Sequence, residues 1–531
     1  MQAAASMETE AAQAWVWPQA GMFSKRGRAR SAAHVWTLHR VHKWAGLLAA
    51  LWLAVLGLTG FFLDHRDWRW MSQTSMPAAW LAVPVAEKSL SGAISLYQVN
   101  PQNALARLAG GLRGLWTSED GGQKWAPVRF EGSGVQPQVL AIVPDPGRRW
   151  QRLWLATDDG VWLSADGGHR FVRYALAGQR VTALTPSGQA GMLGVTDRSR
   201  VFRLATEGAR PVAWLDLQPP APHLLPANVD LSRFVHDLHF GRGIFSGTAS
   251  LLLNDLAAIA LVLLPLTGLL YWAMPKRWKL RRRSGRETPA HVRVRTIRWL
   301  YRLHGPLVGV AALAPIVYLG LTGILIDHGK ELGPWMRAVP LVRDWLPPVY
   351  RMSGWQGEIY AVAGYPGAAD TLSIGTRAGL FTSTDGGRSW SREAGVNGFV
   401  WMMRRAGDSL FIGGMGSPSY VKPDGGTWQR LQQAGHMPSD VSVMPGGGWL
   451  VKTRHGAKMT GASGNMPAPM PPTPDATWFD IIDGLHSGLL IHGQWKWMND
   501  LFAVAAVLLV LTGIPRVWRR GKPSLGRSTK R

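Results

Sequence analysis

The chain has 531 residues, and 58 Lys and Arg against 33 Asp and Glu give it a net charge of +25 at pH 7. Its mean hydropathy is near zero because apolar runs alternate with long polar stretches. It contains no cysteine, which excludes disulfides, iron–sulfur clusters, thiolate metal sites and covalently attached c-type haem.

Four apolar runs predict membrane-spanning helices, at residues 44–63, 256–272, 306–326 and 501–514. The first and third contain 20 and 21 residues, enough for a helix to cross a hydrocarbon core of about 30 Å. The fourth run is short, and we expect its helix to include part of residues 495–500. The first run has no convincing cleavage site after it, so it is interpreted as a signal anchor.

The positive charge is concentrated in residues 1–43, 276–302 and 516–531, which hold 21 of the 25 net charges. All three segments fall on one side of a four-span topology, as the positive-inside rule requires for cytoplasmic termini and a cytoplasmic middle loop. This distribution predicts contact with membrane lipid and argues against a nucleic-acid partner. The two long loops would then lie in the periplasm, with the protein in a bacterial inner membrane.

The same short motifs recur in both halves of the chain, which indicates an internal duplication. Each apolar run ends in one tripeptide, as Leu58-Thr59-Gly60, Leu266-Thr267-Gly268, Leu321-Thr322-Gly323 and Leu511-Thr512-Gly513. Other residues recur in pairs, as His42 with His304, His65 with His328, His239 with His486, and Asn254-Asp255 with Asn499-Asp500. Parallel repeats have a symmetry axis along the membrane normal, so equivalent histidines are expected to face one another.

Both long loops contain a second repeat of the form Ser-x-Asp-x-Gly-x-x-Trp. It occurs at 118–125, at 383–390, at 164–171 with Phe in the last place, and in degenerate form at 421–428. It resembles the Asp-box hairpin of β-propellers, in which Asp and Gly shape a tight turn. Residues 93–218 and 357–478 each hold about three such units, so we predict one six-bladed cap built from both loops, with two separate small β domains as the alternative. Glycosidase activity is not expected, because the catalytic residues of Asp-box sialidases have no counterpart here.

The predicted fold is an internally duplicated four-helix transmembrane bundle with an all-β, propeller-like periplasmic part. The expected segments are a basic cytoplasmic N-terminus (1–43), a first span (44–65), a first β domain (66–235), an interfacial segment and second span (236–274), a basic cytoplasmic loop (275–303), a third span (304–328), a second β domain (329–480), an interfacial segment and fourth span (481–515), and a cytoplasmic tail (516–531).

The paired histidines are candidate ligands for a metal cofactor. His42 and His65 are 23 residues apart, so a continuous helix places them about 35 Å apart, at opposite membrane faces. His304 and His328 have a similar spacing. We expect His42 to meet His304 at the cytoplasmic face and His239 to meet His486 at the outer face. Bis-imidazole ligation suits a haem that carries electrons, whereas zinc prefers four close ligands.

Two recurring aspartates, Asp255 and Asp500, lie near the outer ends of the second and fourth runs. We interpret them as helix N-caps, with a role as hydrogen-bond acceptors for ligand histidines as the alternative. The remaining outer histidines, His65 and His328, exceed what one outer haem needs. They are expected either to hold a third haem or to serve the substrate.

The membrane half of the chain resembles the PepSY-associated transmembrane helix family. The resemblance lies in His42-Lys43-Trp44-Ala45-Gly46-Leu47, Asp64-His65, Asp237-Leu238-His239-Phe240-Gly241-Arg242 and Asn254-Asp255, and in their second-half counterparts Leu303-His304-Gly305, Asp327-His328, Gly484-Leu485-His486-Ser487-Gly488 and Asn499-Asp500. This family includes inner-membrane ferric-siderophore reductases with b-type haems, which implies a similar role. The Asp-box loops depart from the family's usual PepSY domain.

These observations predict a transmembrane oxidoreductase with two haem b groups, or three. It would pass electrons from a cytoplasmic donor, a flavin reductase or flavodoxin-like protein, to a periplasmic acceptor. Ferric iron in a siderophore is the expected acceptor, and no catalytic residue is assigned. The alternatives are an electron conduit for another periplasmic oxidoreductase, and a non-redox transporter or receptor whose β cap binds a ligand.

Overall fold

The structure is a computed structural model. It describes residues 25–65, 68–77, 93–145, 147–188, 191–205, 212–245, 247–365, 367–431, 434, 437–445, 448–453, 456–460, 466–471 and 475–520. Residues 1–24 of the predicted cytoplasmic N-terminus and residues 521–531 of the predicted tail lie outside the described residues.

The helical part contains three long helices and several short ones. In chain order the α-helices are α1 (Lys25–Asp64), α2 (Arg69–Gln73), α3 (Leu231–His239), α4 (Gly247–Arg283), α5 (Ala290–Arg302), α6 (Leu313–Asp327), α7 (Gly329–Ala338), α8 (Trp478–Ser487) and α9 (Lys496–Arg520). A π-helical segment (Leu303–Gly309) follows α5, and 3-10 turns cover Pro222–Leu224, Arg343–Trp345 and Pro348–Arg351.

Within the described residues, three helices are long and apolar enough to cross a membrane: Leu38–Asp64, Gly247–Arg283 and Lys496–Pro515. A fourth candidate, Ala290–Gly309 followed by Leu313–Asp327, is bent by 62°. The expectation of a continuous third helix is therefore wrong. Pro306 lies in the π-helical segment, where it has no N–H to donate to the preceding turn.

The bend coincides with a one-residue difference between the two halves. His42 precedes Thr59 by 17 residues, whereas His304 precedes Thr322 by 18. A π-helical turn bonds residues five apart instead of four, so it takes up an extra residue within a helix. The π-helical segment thus keeps His304 and Thr322 in equivalent places despite the insertion.

The four apolar helical segments pack around a core of small side chains. Helix α1 contacts α4 and α9, α9 contacts α6, and α4 contacts the π-helical segment. The buried residues at the centre of this cluster are Ala49, Leu53, Ala260, Ala312, Ile316 and Ala506. Alanine at four of these six positions lets the helix backbones approach closely, as small residues do in membrane helix pairs.

Most of the remaining chain forms six antiparallel four-stranded sheets. The first sheet contains β2 (Ile94–Asn100), β3 (Asn103–Gly111), β4 (Gly114–Ser118) and β5 (Ala126–Pro127). The second contains β7 (Val139–Asp145), β8 (Arg149–Thr157), β9 (Gly160–Ser164) and β10 (Arg170–Ala175), with β6 (Arg129–Phe130) added in parallel at its edge. The third contains β11 (Val181–Ser187), β12 (Gly191–Thr196), β13 (Arg200–Ala205) and β14 (Val212–Trp214). The fourth sheet contains β17 (Ala361–Tyr365), β18 (Ala368–Thr376), β19 (Gly379–Ser383) and β20 (Ser391–Arg392). The fifth contains β21 (Val400–Ala406), β22 (Ser409–Gly414), β23 (Tyr420–Pro423) and β24 (Gln429–Arg430). The sixth contains β25 (Pro438–Val443), β26 (Trp449–Thr453), β27 (Gly456–Thr460) and β28 (Met466–Pro467).

The six sheets form one propeller-like ring. The first strands of successive sheets, β2, β7, β11, β17, β21 and β25, contact one another in this order, and β25 also contacts β2. A buried apolar cluster fills each of the six junctions between neighbouring sheets. The two long polar regions of the chain therefore build one ring rather than two separate β domains.

Two short ribbons join the halves of the chain beside the helices. Strand β1 (Ser75–Pro77), which follows the first span, pairs with β29 (Asp475–Thr477), which precedes α8. Strand β15 (Asn228–Asp230), which precedes α3, pairs with β16 (Pro340–Val342), which follows α7. Each ribbon thus pairs a segment of one half with a segment of the other.

The Asp boxes form the hairpins between the third and fourth strands of their sheets, as predicted. In the first box, Ser118 Oγ donates to Asp120 Oδ1 at 2.9 Å, and the N–H of Gly122 donates to Ser118 Oγ at 2.8 Å. Gly121 and Gly122 have φ of 76° and 92°, which favour glycine. The backbone N–H of Lys124 donates to Asp120 and lowers its carboxyl pKa. Equivalent serine and aspartate bonds occur in the boxes at 164–171 and 383–390.

Candidate functional site

The first pair of predicted ligands, His42 on α1 and His304 in the π-helical segment, lies together. Their ring centres are 6.2 Å apart, and the ring planes are perpendicular, at 88°. The two residues are 262 positions apart in the sequence and belong to different halves. The expected meeting of His42 and His304 is therefore present in the structure.

The two rings line a cavity of about 420 Å³ between the helices. Its wall is mostly aliphatic, and includes Leu47, Leu53, Leu261, Leu264, Leu313 and Leu509. Its polar residues are His39, Lys43, Tyr271 and Tyr301 in addition to the two facing histidines. An enclosed apolar space of roughly 300–1,000 Å³ with a few polar groups is typical of a cofactor site.

All four predicted haem ligands contact a threonine of the recurring Leu-Thr-Gly motif. The Nδ1 to Oγ1 distances are 2.9 Å for His42 and Thr512, 3.0 Å for His304 and Thr267, 3.1 Å for His239 and Thr322, and 2.9 Å for His486 and Thr59. Every one of these bonds joins one half of the chain to the other. All four threonines are buried.

The glycine after each threonine faces the histidine ring, and at Gly268 a side chain would crowd that ring. A Cβ atom at Gly268 would lie 3.1 Å from Cε1 of His304, a tighter contact than nearly all real Cβ atoms make. At Gly60, Gly323 and Gly513 the same atom would lie 3.5 Å from Cε1 of the facing histidine. Each ring therefore packs directly against the backbone of the opposing helix.

The outer pair, His239 and His486, lies in the short helices α3 and α8. Helix α3 is capped by Asp230, which accepts the N–H of Arg233 at 2.8 Å, and α8 begins with a capping box at Thr477. Burial lowers the pKa of His239, and the nearby His486 lowers it further. Each histidine of this pair thus lies at the C-terminal end of a short capped helix.

The recurring asparagines hold the backbone of these outer histidines. Nδ2 of Asn254 donates to the carbonyl of His239, and Nδ2 of Asn499 donates to that of His486, each at 3.2 Å. Both asparagines are buried. Carbonyls near a helix end have no partner within the helix, so these side chains satisfy them and fix the position of each histidine.

The third pair, His65 and His328, makes contacts of a different kind. Nε2 of His65 lies 3.1 Å from Asp255 Oδ1, and Nε2 of His328 lies 2.8 Å from Asp500 Oδ2. The interpretation of the two aspartates as N-caps is wrong, because Asp255 lies in the third turn of α4 and Asp500 in the second turn of α9. Each aspartate instead contacts a histidine of its own half.

A buried ionic cluster attaches the β ring to helix α3. Asp237, two residues before His239, forms ion pairs with Arg377 at 3.3 Å and with Arg233 at 3.4 Å. Arg377 lies in the turn between β18 and β19 and also donates to the hydroxyl of Tyr360, at 2.6 and 2.8 Å. Desolvation tends to lower the pKa of Arg377, but Tyr360 and Asp237 outweigh it and raise the pKa. The β ring thus contacts helix α3 two residues from His239.

The sequence located the paired histidines but did not assign roles to the threonines, asparagines or Arg377. The threonines carried a usable signal, because they recur four times, as the histidines do. Arg377 was not singled out, because a single arginine in a turn of the β ring gives no sign of the helix that it contacts. Among the described residues, no group of three His, Asp or Glu side chains could hold a bare metal ion.

No known protein family and no curated protein matches this chain. Similar solved structures include an ancestral GH74 enzyme, with 11% identity over 71% of this chain and 38% of that chain at a TM-score of 0.32. Another is the GH74 xyloglucanase from Xanthomonas campestris, with 12% identity, 71% and 45% coverage and a TM-score of 0.31. A third is the extracellular domain of a hybrid two-component system from B. thetaiotaomicron, with 10% identity, 75% and 44% coverage and a TM-score of 0.32. The chain spans less than half the length of these three structures, and likeness at this level carries no functional conclusion.

Proposed function

We propose that this protein is a four-span membrane oxidoreductase that holds two b-type haems and passes electrons from a cytoplasmic donor to a periplasmic acceptor. The observation that carries the proposal is the perpendicular pair of His42 and His304 rings, 6.2 Å apart, on the wall of an apolar cavity. His239 and His486 form the second ligand pair, at the outer face.

The inner pair fits a haem iron. An iron bonded to two imidazole nitrogens at about 2.0 Å each, with each ring centre about 1.1 Å behind its nitrogen, gives ring centres roughly 6 Å apart. The observed spacing agrees with this value. The aliphatic wall suits the porphyrin ring, while Lys43 and His39 on the same wall are suited to its anionic propionates.

The contacts of the third pair favour two haems over three. The Nε2 atoms of His65 and His328 already face carboxylates. In the other four histidines the threonine contact is made by Nδ1, and Nε2 lies on the opposite side of the ring.

A bound haem would take up and release one electron at a time. Two histidines would hold its iron, which would leave no ligand position open to oxygen. His42 and Thr59 are 17 residues apart on α1, which separates the inner and outer levels by about 25 Å. The alanine-rich cluster between these levels excludes water from the path.

A membrane location is supported by the surface of the helical part. Leu48 and Leu51 on α1 are each 79% exposed, and large aliphatic side chains on α4, α6 and α9 are exposed as well. Exposed apolar belts of this kind are stable when lipid covers them. Together with the basic segments they support four spans with cytoplasmic termini in the inner membrane.

This topology predicts the accessibility of inserted tags. Tags after Arg531 and within residues 276–290 should resist protease added to intact spheroplasts, because both sites are cytoplasmic. A tag near Gly121, in the first Asp box, should be cleaved. Disrupted spheroplasts serve as the control, in which all three tags are cleaved. Cleavage of the 276–290 tag in intact spheroplasts would contradict four spans.

A ferric siderophore is the acceptor that we propose. One electron converts its Fe³⁺ to Fe²⁺, which the hard oxygen ligands of the chelator hold less tightly. Arg377 of the β ring pairs with Asp237, two residues from His239. The β ring therefore lies next to the outer histidine pair, where an acceptor would bind. An absent acceptor activity with haem present would favour a conduit for another periplasmic oxidoreductase.

The decisive experiment is the absorbance spectrum of the purified protein made with ample haem. We expect a b-type spectrum, with a sharp α band on reduction by dithionite and two extractable haems per chain, because this cysteine-free chain has only noncovalent ligation to offer. Mixing the reduced protein with a ferric siderophore should reoxidise it. A protein without haem would instead favour the transporter or receptor interpretation.

A further inference from the structure

The hydrogen atoms of the four motif threonines are already used within their own helices. Each hydroxyl donates to the carbonyl four residues earlier: Thr59 to Val55 at 2.7 Å, Thr267 to Leu263 at 2.6 Å, Thr322 to Tyr318 at 2.6 Å, and Thr512 to Leu508 at 2.7 Å. A hydroxyl has one hydrogen to donate. Towards the histidine, each threonine oxygen can therefore only accept.

It follows that each facing histidine carries its hydrogen on Nδ1. A backbone carbonyl near the same nitrogen leads to the same result, since carbonyls never donate. Nδ1 of His304 lies 3.1 Å from the carbonyl of Leu264. A neutral imidazole with its hydrogen on Nδ1 has its free lone pair on Nε2.

We propose that Thr59, Thr267, Thr322 and Thr512 are positioning residues that fix the tautomer of the four histidines and present each Nε2 lone pair to iron. This inference rests on the proposed function. It assigns a role to the recurring Leu-Thr-Gly motif: threonine sets the hydrogen of the ring, and glycine lets the ring lie against the helix.

The choice of threonine also sets the electronic character of the ligand. A carboxylate acceptor draws the Nδ1 hydrogen strongly and makes the imidazole a better electron donor, which stabilises ferric iron. A neutral hydroxyl draws it weakly. The chain has carboxylates available for histidines, as Asp255 and Asp500 demonstrate at the third pair. At the four ligand positions it uses hydroxyls, which keeps the potential of the bound iron higher and favours its reduction by the donor.

The test compares Thr512→Val with Thr512→Ser in the full-length, haem-loaded protein. Valine keeps the shape but removes the acceptor, so we expect haem retention at the inner site to weaken by about 10–100-fold. The midpoint potential of that haem should rise and its low-spin spectrum should change, while the outer haem stays as in wild type. Serine restores the acceptor and should restore both properties. Ser250→Ala, at another buried hydroxyl in a spanning helix, is the matched control and should change neither haem.

A direct measurement keeps the inference testable even if the valine variant does not accumulate. Nitrogen-15 NMR of histidine-labelled, haem-free protein distinguishes the two tautomers. Four histidines should carry hydrogen on Nδ1. Hydrogen on Nε2 at these residues, or a Thr512→Val protein with unchanged potential and spectrum, would overturn the inference while leaving haem binding intact. Wild-type protein without haem would instead show that the proposed function itself fails.

Discussion

His42→Ala and His304→Ala should each remove the same haem, and the double variant should lose little more than either single one. The reason is that both rings face one cavity, so losing either ligand opens the same site. Each variant is expected to retain one of the two haems, and reduction of an external ferric chelate should cease. Extracted haem per chain and the spectrum of the reduced protein measure the effect.

His65→Ala is the matched control for this experiment. It removes the histidine that directly follows the same helix, and the Nε2 atom of that histidine faces Asp255 instead of the cavity. We expect it to retain both haems. Additive haem losses in His42→Ala and His304→Ala would show that the two histidines serve independent sites. Loss of a haem in His65→Ala would restore the expectation of a third.

The second large effect is expected at Asp440, a fully buried carboxylate that links three sheets of the ring. It lies on β25 and accepts from Nε of Arg404 on β21 at 2.9 Å. On β2 it accepts from the N–H of Tyr97 at 2.9 Å and from Nε2 of Gln98 at 2.8 Å. Burial raises the pKa of Asp440, whereas Arg404 and the other donors act to lower it. The residue therefore ties the last sheet of the chain to the first.

Asp440→Ala should lower the free energy of unfolding of the β ring by about 3–5 kcal/mol, because it leaves the Arg404 guanidinium buried without its partner. Tryptophan fluorescence during denaturant unfolding measures the change. Glu131→Ala is the control, since Glu131 bonds Arg170 at 3.0 Å and both side chains are exposed, at 48% and 59%. Exposed ion pairs contribute about 0–1 kcal/mol. Equal losses in the two variants would contradict the role of Asp440 in closing the ring.

The features that the sequence predicted well are those with a repeat. Paired histidines placed His42 against His304, and the Asp-box spacing predicted sheets that the structure places in one ring. A duplicated chain shows each motif twice, so a motif that matters for the structure can be distinguished from a chance match. The recurring threonines show its limit, since the repeat marked them without identifying their partners, which lie up to 470 residues away.

Two features could not be predicted because they depend on tertiary geometry. Aspartate is a common N-cap residue, but the helices that contain Asp255 and Asp500 begin several residues earlier. The two carboxylates therefore face histidines instead of helix N-termini. The bend near Pro306 coincides with a one-residue difference between the halves, and a hydropathy pattern cannot distinguish a bent span from a straight one. In both cases the apolar run predicted that a helix is present, but it did not predict where the helix begins or whether it is bent.

The exchange of contacts between the halves has a consequence for how the protein is made. When the ribosome has completed only the first half, β2 lacks β25 and β11 lacks β17. His42, His239, Thr59 and Thr267 lack their partners as well. Until the second half is made, both edges of the half-ring are unpaired and apolar side chains such as Ile94 and Val195 are exposed. A chain in this state is prone to aggregation. Conversely, a half-length chain could complete every one of these contacts by pairing with a second copy of itself.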